Sequence, residues 1–340
     1  MLNYITIIIH KIIYNIWSGK YFLYLILLPL SWIYKLFFKI RFLAYSYGFF
    51  KKYKFSIPIL IVGNITCGGN GKTPLVLWLI KQLKINKWKV GVVTRGYKGK
   101  YNNYPLIIND KTNVYQCGDE ALLIWKRTKV PVIVSPKRIK AIPILIKKNL
   151  DIIISDDGLQ HYSLERDLEW IVIDGKERFG NGCCIPAGPL RENISRLKNV
   201  DQIIINNYFN NKKKELTMYL KPKLAINLLT GKKSCIKKLK SVIAIAGIGF
   251  PNRFFETIKI LGLTPKKKII FPNHKNYNKK MLKSLTKFGE NLLMTEKDAI
   301  KCYKFADISW WYLPVEATFK KKDSKKLILS IENIIKKYKK

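Results

Sequence analysis

The sequence predicts an α/β protein. Its main body is a mostly parallel sheet with helices on both faces, followed by a smaller C-terminal α/β domain and preceded by an N-terminal membrane helix. Three observations predict this. From Ser56 onward, short apolar runs alternate with helix-like segments, the pattern of βα units. One apolar run passes directly into a glycine-rich turn closed by Lys72-Thr73. Residues 1–50 are apolar and aromatic with almost no acid.

Taken in order, the elements begin with the run Tyr21 to Tyr34 (YFLYLILLPLSWIY), extended past Lys35 by Leu36, Phe37 and Phe38. A bilayer-spanning helix needs roughly 20 apolar residues, so this run spans if Lys35 snorkels and otherwise lies in the interface. Pro29 is expected to kink it. Lys11 and Lys20 precede it, and Lys35, Lys39, Arg41, Lys51, Lys52 and Lys54 follow, which puts the body in the cytoplasm by the positive-inside rule. No small-residue cleavage site follows, as a removed signal peptide would require.

Strands are expected at Ile57–Val62, Val90–Thr94, Val130–Ser135, Asp151–Ser155, Trp170–Asp174 and Gln202–Asn206. Helical patterns at Thr73–Asn86, Asp119–Arg127 and Arg138–Lys148 lie between them. A second set of strands, at Leu224–Leu229, Val242–Ala246, Lys268–Phe271, Leu292–Thr295 and Trp310–Val315, comes with helices near 252–261, 277–289 and 324–338. The lysine-rich stretch from about Tyr208 to Lys240 suggests a boundary near residue 230. The expected organisation is therefore a membrane-anchoring segment at 1–50, a core domain at 51–230 and a smaller domain at 231–340.

Charge invites a different reading. The 340 residues carry 63 Lys+Arg against 22 Asp+Glu, a formal charge of +41, as a nucleic-acid binder would. Only nine of the cations are Arg, leaving 54 Lys, in a chain also rich in Ile, Asn and Tyr. That composition reads as nucleotide bias, with most of the charge as background. No nucleic-acid reading module is present, and no nucleic-acid partner is expected. An Arg kept in such a background marks places where a planar fork is needed, and seven of the nine lie between Arg95 and Arg196. The six Cys show no CxxC spacing, so neither a metal nor a redox centre is indicated.

The strongest local signal is PILIVGNITCGGNGKT, from Pro58. Glycines let backbone N–H groups turn inward around phosphate oxygens, and a helix N-terminus adds partial positive charge. Lys72 can then reach the terminal phosphates and the Thr73 hydroxyl can hold Mg²⁺. Thr66 stands where the usual pattern has its first glycine; Cys67, Gly68, Gly69, Asn70 and Gly71 complete the loop. This makes the fold P-loop NTPase-like. Asp156-Asp157, at the end of another strand, is the expected metal-side acid, with either residue as the contact. Asp119 and Glu120 start a helix, where an acid is also a common capping device. Arg95 and Arg138 fall on the same rim as the phosphate loop, beyond the carboxyl ends of the strands. His161 and His274 lie in polar loops.

Read together, VGNITCGGNGKTP, VVTRGY, GDEA, SDDGLQH, FGNG, PAGPLRE, AGIGFPNRFF and MTEKDAIK, in that order, resemble the tetraacyldisaccharide 4′-kinase family of lipid A biosynthesis. The resemblance covers most of the chain. It implies transfer of the ATP γ-phosphate to the 4′-hydroxyl of tetraacyldisaccharide 1-phosphate, giving lipid IVA. It also implies a monomer at the cytoplasmic face of the bacterial inner membrane, using ATP and Mg²⁺. By the same resemblance Thr66–Thr73 is the ATP loop, Lys72 and Asp119 are catalytic with Asp119 as general base, and His274 is the partner of Asp119. Thr73, Asp156 and Asp157 are on the metal side, and Tyr97, Arg138, His161 and Arg191 meet the disaccharide or its phosphate. Where the family commonly has FPDH, this chain has Phe271-Pro272-Asn273-His274, so the neighbouring carboxylate is missing.

Overall fold

A computed structural model describes residues 2–207, 215–286 and 291–339. Two helices open the chain, α1 (Leu2–Trp17) and α2 (Leu23–Ser46). They are followed by β1 (Ile59–Gly63), α3 (Lys72–Ile85), β2 (Val90–Thr94), β3 (Leu106–Ile107), α4 (Val114–Cys117), α5 (Asp119–Thr128), β4 (Val132–Val134), α6 (Ile142–Ile146), β5 (Ile152–Asp156), β6 (Leu168–Asp174), β7 (Gln202–Asn206) and β8 (Glu215–Pro222). The remainder comprises β9 (Ala225–Asn227), β10 (Lys233–Ser234), β11 (Val242–Ala246), α7 (Pro251–Ile260), β12 (Lys267–Ile270), α8 (Lys279–Leu285), β13 (Asn291–Thr295), α9 (Glu296–Ala299), β14 (Trp310–Leu313), β15 (Val315–Thr318) and α10 (Lys321–Lys339).

The chain divides into two units. His10–Leu220 and Ala317–Lys340 form one, and Lys221–Glu316 with Met1–Ile9 forms the other. In the first, nine strands run in the order β15-β8-β7-β6-β1-β5-β2-β4-β3. Every pair from β8 to β4 is parallel, and β3 is antiparallel to β4. Strands β1, β2, β5, β6 and β7 are buried at every residue. Parallel strands covered on both faces read as near-continuous apolar runs, which is why the sequence located them well. Each fully buried Ile or Leu in this core, such as Ile59, Ile61, Ile153 and Leu159, contributes about 1.5–3 kcal/mol.

The second unit carries a six-stranded sheet in the order β10-β9-β14-β13-β11-β12. Its central pairs are parallel, and β9 lies antiparallel to both β14 and β10.

Four expectations differ from what is observed. The boundary placed near residue 230 falls inside the β9–β10 hairpin, and the units part instead at residues 220 and 316. The C-terminal helix belongs to the first unit. Glu332 of α10 accepts from Asn86 and the Trp88 indole, and Tyr338 donates to Asp167. The single helix expected over Arg138–Lys148 is a 3₁₀ turn, Arg138–Lys140, followed by the short α6. Pro143 lacks an N–H and cannot sit inside a continuous helix, so it occupies the first turn of α6. The helix expected near 277–289 is observed as Lys279–Leu285, and its last residues lie outside those described.

Candidate active site

Gly71 caps α3 in the left-handed region, at φ 97°, and a side chain there would meet the Asn206 amide at 2.7 Å. Glycine is therefore required at this position. It turns the chain so that Lys72 and Thr73 form the first residues of α3. The helix persists because Leu75, Val76, Trp78, Leu79, Ile80 and Leu83 form its buried face. It stops at Asn86, before Lys87 at φ 62°.

The loop ahead of α3 is held from below. Asn70 Nδ2 donates to Thr66 Oγ1 at 2.7 Å, and Asn64 Nδ2 donates to the Thr66 carbonyl at 2.6 Å. Asn206, at the end of β7, donates to the Asn70 carbonyl at 3.1 Å. Thr66 is buried and so acts as a brace, while Gly68 and Gly69 are exposed at the tip and Cys67 is half-buried. This explains how threonine serves where the usual pattern has glycine.

In the β1–β5 register Val62 lies beside Asp156, so the loop and the acidic pair leave neighbouring strand ends on the same side of the sheet. Lys72 Nζ is 3.2 Å from Asp157, and Arg191 Nη1 lies 3.2 Å from both carboxylate oxygens of the same residue. Asp157 adopts φ 49°, a conformation non-glycine residues rarely take. Arg138 holds the acidic pair from behind. It is 3% exposed, and its Nη2 donates to the carbonyls of Asp156 and Asp157 at 3.0 and 2.7 Å.

The two acids differ electrically. Burial raises the Asp156 carboxyl to about 7, and the neighbouring Asp157 charge adds to the effect. Its Oδ1 has no hydrogen-bond partner among the described residues. Burial also acts to raise Asp157, but the charges of Lys72, Arg191 and Arg138 outweigh it and hold that carboxyl well below the usual range. Burial lowers Arg138 to about 10, which leaves it a cation at neutral pH.

Asp119 starts α5. Gly118 precedes it at φ 82°, where a side chain would meet the Tyr97 carbonyl at 2.5 Å. Asp119 is buried and Tyr97 exposed. His161 is half-buried, with its Nε2 3.2 Å from Ser163 Oγ. Burial, then the charges of Arg138 and Arg166, lower its imidazole to about 4. An unfolded His takes up a proton near pH 6.5, so between about 6.5 and 4 the unfolded chain binds more protons than the folded one. The contribution of His161 is complete above that window and declines as pH falls through it. His161→Gln should therefore reduce the drop in unfolding midpoint between pH 7 and 5 by about 2–4 °C. Parallel declines in both proteins would show that His161 does not titrate in this way.

Lys72, Thr73, Asp156, Asp157, Arg138 and Arg191 are thus gathered in the first unit, which also contains Asp119, Tyr97 and His161. His274 belongs to the second unit. Its φ is 62°, its N–H donates to the Gly247 carbonyl at 3.3 Å, and Lys297 Nζ lies 3.4 Å from its Nε2. Asn273 leaves its buried Oδ1 without a hydrogen-bond partner among the described residues.

The sequence reading missed Asp298. It is fully buried and accepts from the Gly247 amide at 2.9 Å, the Tyr277 hydroxyl at 2.9 Å and the Thr295 hydroxyl at 2.7 Å, with Lys301 Nζ at 3.1 Å. The available signal was Thr295-x-x-Asp298 after an apolar strand, a helix-capping spacing.

A strand, glycine turn and helix with lysine at the helix start, faced by an acidic pair on the adjoining strand, define an α/β protein of the P-loop NTPase-like class. The sequence model of LpxK, described as Tetraacyldisaccharide-1-P 4'-kinase, matches residues 23–333. A Tetraacyldisaccharide 4'-kinase from Blochmanniella floridana is 53% identical over 330 residues, covering 96% of this chain and 99% of the relative. One from Hamiltonella defensa is 52% identical over 319 residues, covering 94% and 97%. The crystal structure of LpxK from Aquifex aeolicus in complex with ATP superposes with a TM-score of 0.76 at 29% identity, over 91% of this chain and 99% of that one. The chain belongs to the LpxK family.

Proposed function

We propose that the protein transfers the γ-phosphate of ATP to the 4′-hydroxyl of tetraacyldisaccharide 1-phosphate, forming lipid IVA. The observation that carries this reading is Lys72 at the start of α3, 3.2 Å from an Asp157 also held by Arg191. This supplies fixed positive charge where phosphate oxygens approach a helix N-terminus. The ATP complex of the related Aquifex aeolicus protein and the family membership support it.

In this reading the backbone of Thr66–Thr73 cradles the nucleotide phosphates. Lys72 stabilises charge on the transferring group, and Asp119 accepts the proton of the attacking hydroxyl. Arg138 acts through the acidic turn by fixing its carbonyls. Tyr97, His161 and Arg191 are assigned to the sugar or its phosphate by family resemblance. His274, by the same resemblance, supports Asp119. Phosphoryl transfer depends mainly on such positioning and charge stabilisation.

The residues present fit Mg²⁺. Asp156 has an unpartnered buried oxygen and a carboxyl that its protein surroundings do not favour as an anion. Thr73 stands at the second position of α3. We assign the metal side to Asp156 and Thr73, and the lysine-arginine side to Asp157. A bound Mg²⁺ would neutralise charge on the phosphate oxygens.

We further propose that α2 lies along the inner membrane surface rather than crossing it, with the body on the cytoplasmic side. Length alone would allow a span: the helix has 24 residues and a mean hydropathy of 1.6 over its best window. One side, however, packs on the first unit. Tyr34 joins its core, Phe42 and Tyr45 meet the ring of Tyr162, and Arg41 lies over the same ring. The other side exposes Ile26, Trp32, Ile33, Leu36, Phe37 and Ile40. Spanning would pull a charged body into hydrocarbon, whereas an amphipathic helix in the interface keeps both sides satisfied.

The activity is tested by incubating detergent-solubilised protein with γ-labelled ATP, Mg²⁺ and the disaccharide 1-phosphate. Label in the lipid is expected. Its absence beside an active control enzyme removes the proposal.

A further inference from the structure

On its inner side the apolar helix α2 meets a single loop through two hydroxyl groups, those of Ser31 and Tyr34, and the Ser31 hydroxyl also lies 3.3 Å from the Leu27 carbonyl of its own helix. Ser31 is 3% exposed and is the buried residue of α2. Its hydroxyl donates to the Cys184 carbonyl at 2.8 Å and accepts from the Ala187 amide at 2.9 Å. One turn further on, the Tyr34 hydroxyl donates to the Arg191 carbonyl at 3.1 Å.

The opposite side of the same loop is bound to the phosphate loop. The Arg191 amide donates to the Ile65 carbonyl and the Cys67 amide to the Pro189 carbonyl, each at 2.7 Å. Thr66 and Leu190 form an antiparallel bridge. Arg191 is therefore engaged three ways. Its N–H is on the phosphate loop, its C=O is on α2, and its guanidinium is on Asp157, the partner of Lys72.

We propose that Ser31 and Tyr34 are positioning residues for the nucleotide site. Docking of α2 fixes the segment Cys184–Arg191, and that segment sets both the phosphate loop and the Arg191 fork. The membrane-facing helix is then part of the nucleotide site's framework, and loosening its inner side loosens nucleotide binding even where no lipid is present. A purely anchoring helix would need only apolar contacts on that side. A serine hydroxyl satisfied as both donor and acceptor, on two strictly buried loop groups, specifies one seating of the helix.

The inference rests on Thr66–Thr73 being the nucleotide loop, and the test separates the two. Nucleotide affinity is measured without lipid, using a fluorescent ATP analogue, for wild type, Tyr34→Phe and Ser31→Ala/Tyr34→Phe. The same proteins are followed by flotation with anionic vesicles and by urea unfolding. Failure of the wild type to bind nucleotide overturns the reading of the loop itself. With binding established, the double variant should weaken affinity about ten-fold, or about 1.4 kcal/mol, while flotation stays unchanged. Tyr34→Phe keeps the ring and its packing, so it decides the matter, at about three-fold, if the double variant unfolds. An Arg191→Lys background removes the guanidinium but keeps the backbone bonds to the phosphate loop, so the same substitutions should cost less affinity there than with Arg191 present, because residues acting partly through one group are not additive. Unchanged affinity in the variants that keep Arg191 overturns the proposal, and an equal loss in the Arg191→Lys background overturns its route through the Arg191 side chain.

Discussion

Lys72→Ala is expected to lower turnover by about 10²–10³-fold at saturating substrates, the usual loss when one preorganised group facing transition-state charge is removed. The same substitution should also register without any substrate. Lys72 is the leading cation holding Asp157 below the usual carboxylate range. A carboxyl depressed on folding adds stability above its unfolded pKa, and that stability is lost as pH falls through the folded value. Without Lys72 the depression shrinks, so the variant should lose part of this contribution at neutral pH while Arg191 retains the rest. Lys72→Arg separates the two roles. A guanidinium can still pair with Asp157, but its wide fork does not replace a compact ammonium inside a loop of backbone amides. It should therefore recover stability and not turnover. Initial rates and thermal unfolding of the three proteins provide the check. Turnover within ten-fold of wild type in Lys72→Ala would remove the phosphate-loop reading.

The sequence made this part of the site readable because its chemistry is local. A buried strand, a glycine turn and Lys72-Thr73 are contiguous, and β2, β7 and β11 were located to the residue because fully buried parallel strands are uninterrupted apolar runs. The contrast of few Arg against many Lys also pointed correctly. Arg138 spans two carbonyls, Arg191 meets both oxygens of Asp157, and Arg166 reaches the carbonyls of Leu159, His161 and Leu164 together with Glu169. Arg166 uses all three of its guanidinium nitrogens, whereas Arg138 and Arg191 each reach two oxygens from a single nitrogen.

Composition hid other features. Strand β8 lies in the lysine-rich stretch expected to hold the domain boundary, and at most alternate positions it carries polar residues suited to a place beside the sheet edge. Its burial of Leu216, Thr217 and Met218 follows from pairing with β7, which no local pattern announces. For Asp298 the local pattern offered only the capping spacing from Thr295, because Gly247 is brought to it by the parallel β11–β13 pairing and Tyr277 comes from the segment before α8. The same holds for the contacts of Ser31 and Tyr34 with residues more than 150 positions away.

Asp119→Asn is expected to reduce turnover by about 10²–10⁴-fold, the range associated with a positioned general base. The competing account is structural, since a buried acid in the first turn of α5 is also what helix capping would select. Asparagine separates the two because it keeps the shape and an acceptor oxygen at the helix start while removing the base. An unchanged unfolding midpoint with collapsed turnover supports the base. Near-normal turnover removes it.

His274→Ala alone does not identify a partner, because the ring lies beside Lys297, and its loss alters the surroundings of that cation. The double variant carries the decision. If Asp119 and His274 serve one proton transfer, most of the benefit disappears with the first substitution, and the combined loss should be far smaller than the product of the single losses. Multiplying losses would mean that His274 acts on a separate step. Lys297→Met, compared in the same rate measurements, would then show whether that step belongs to the lysine.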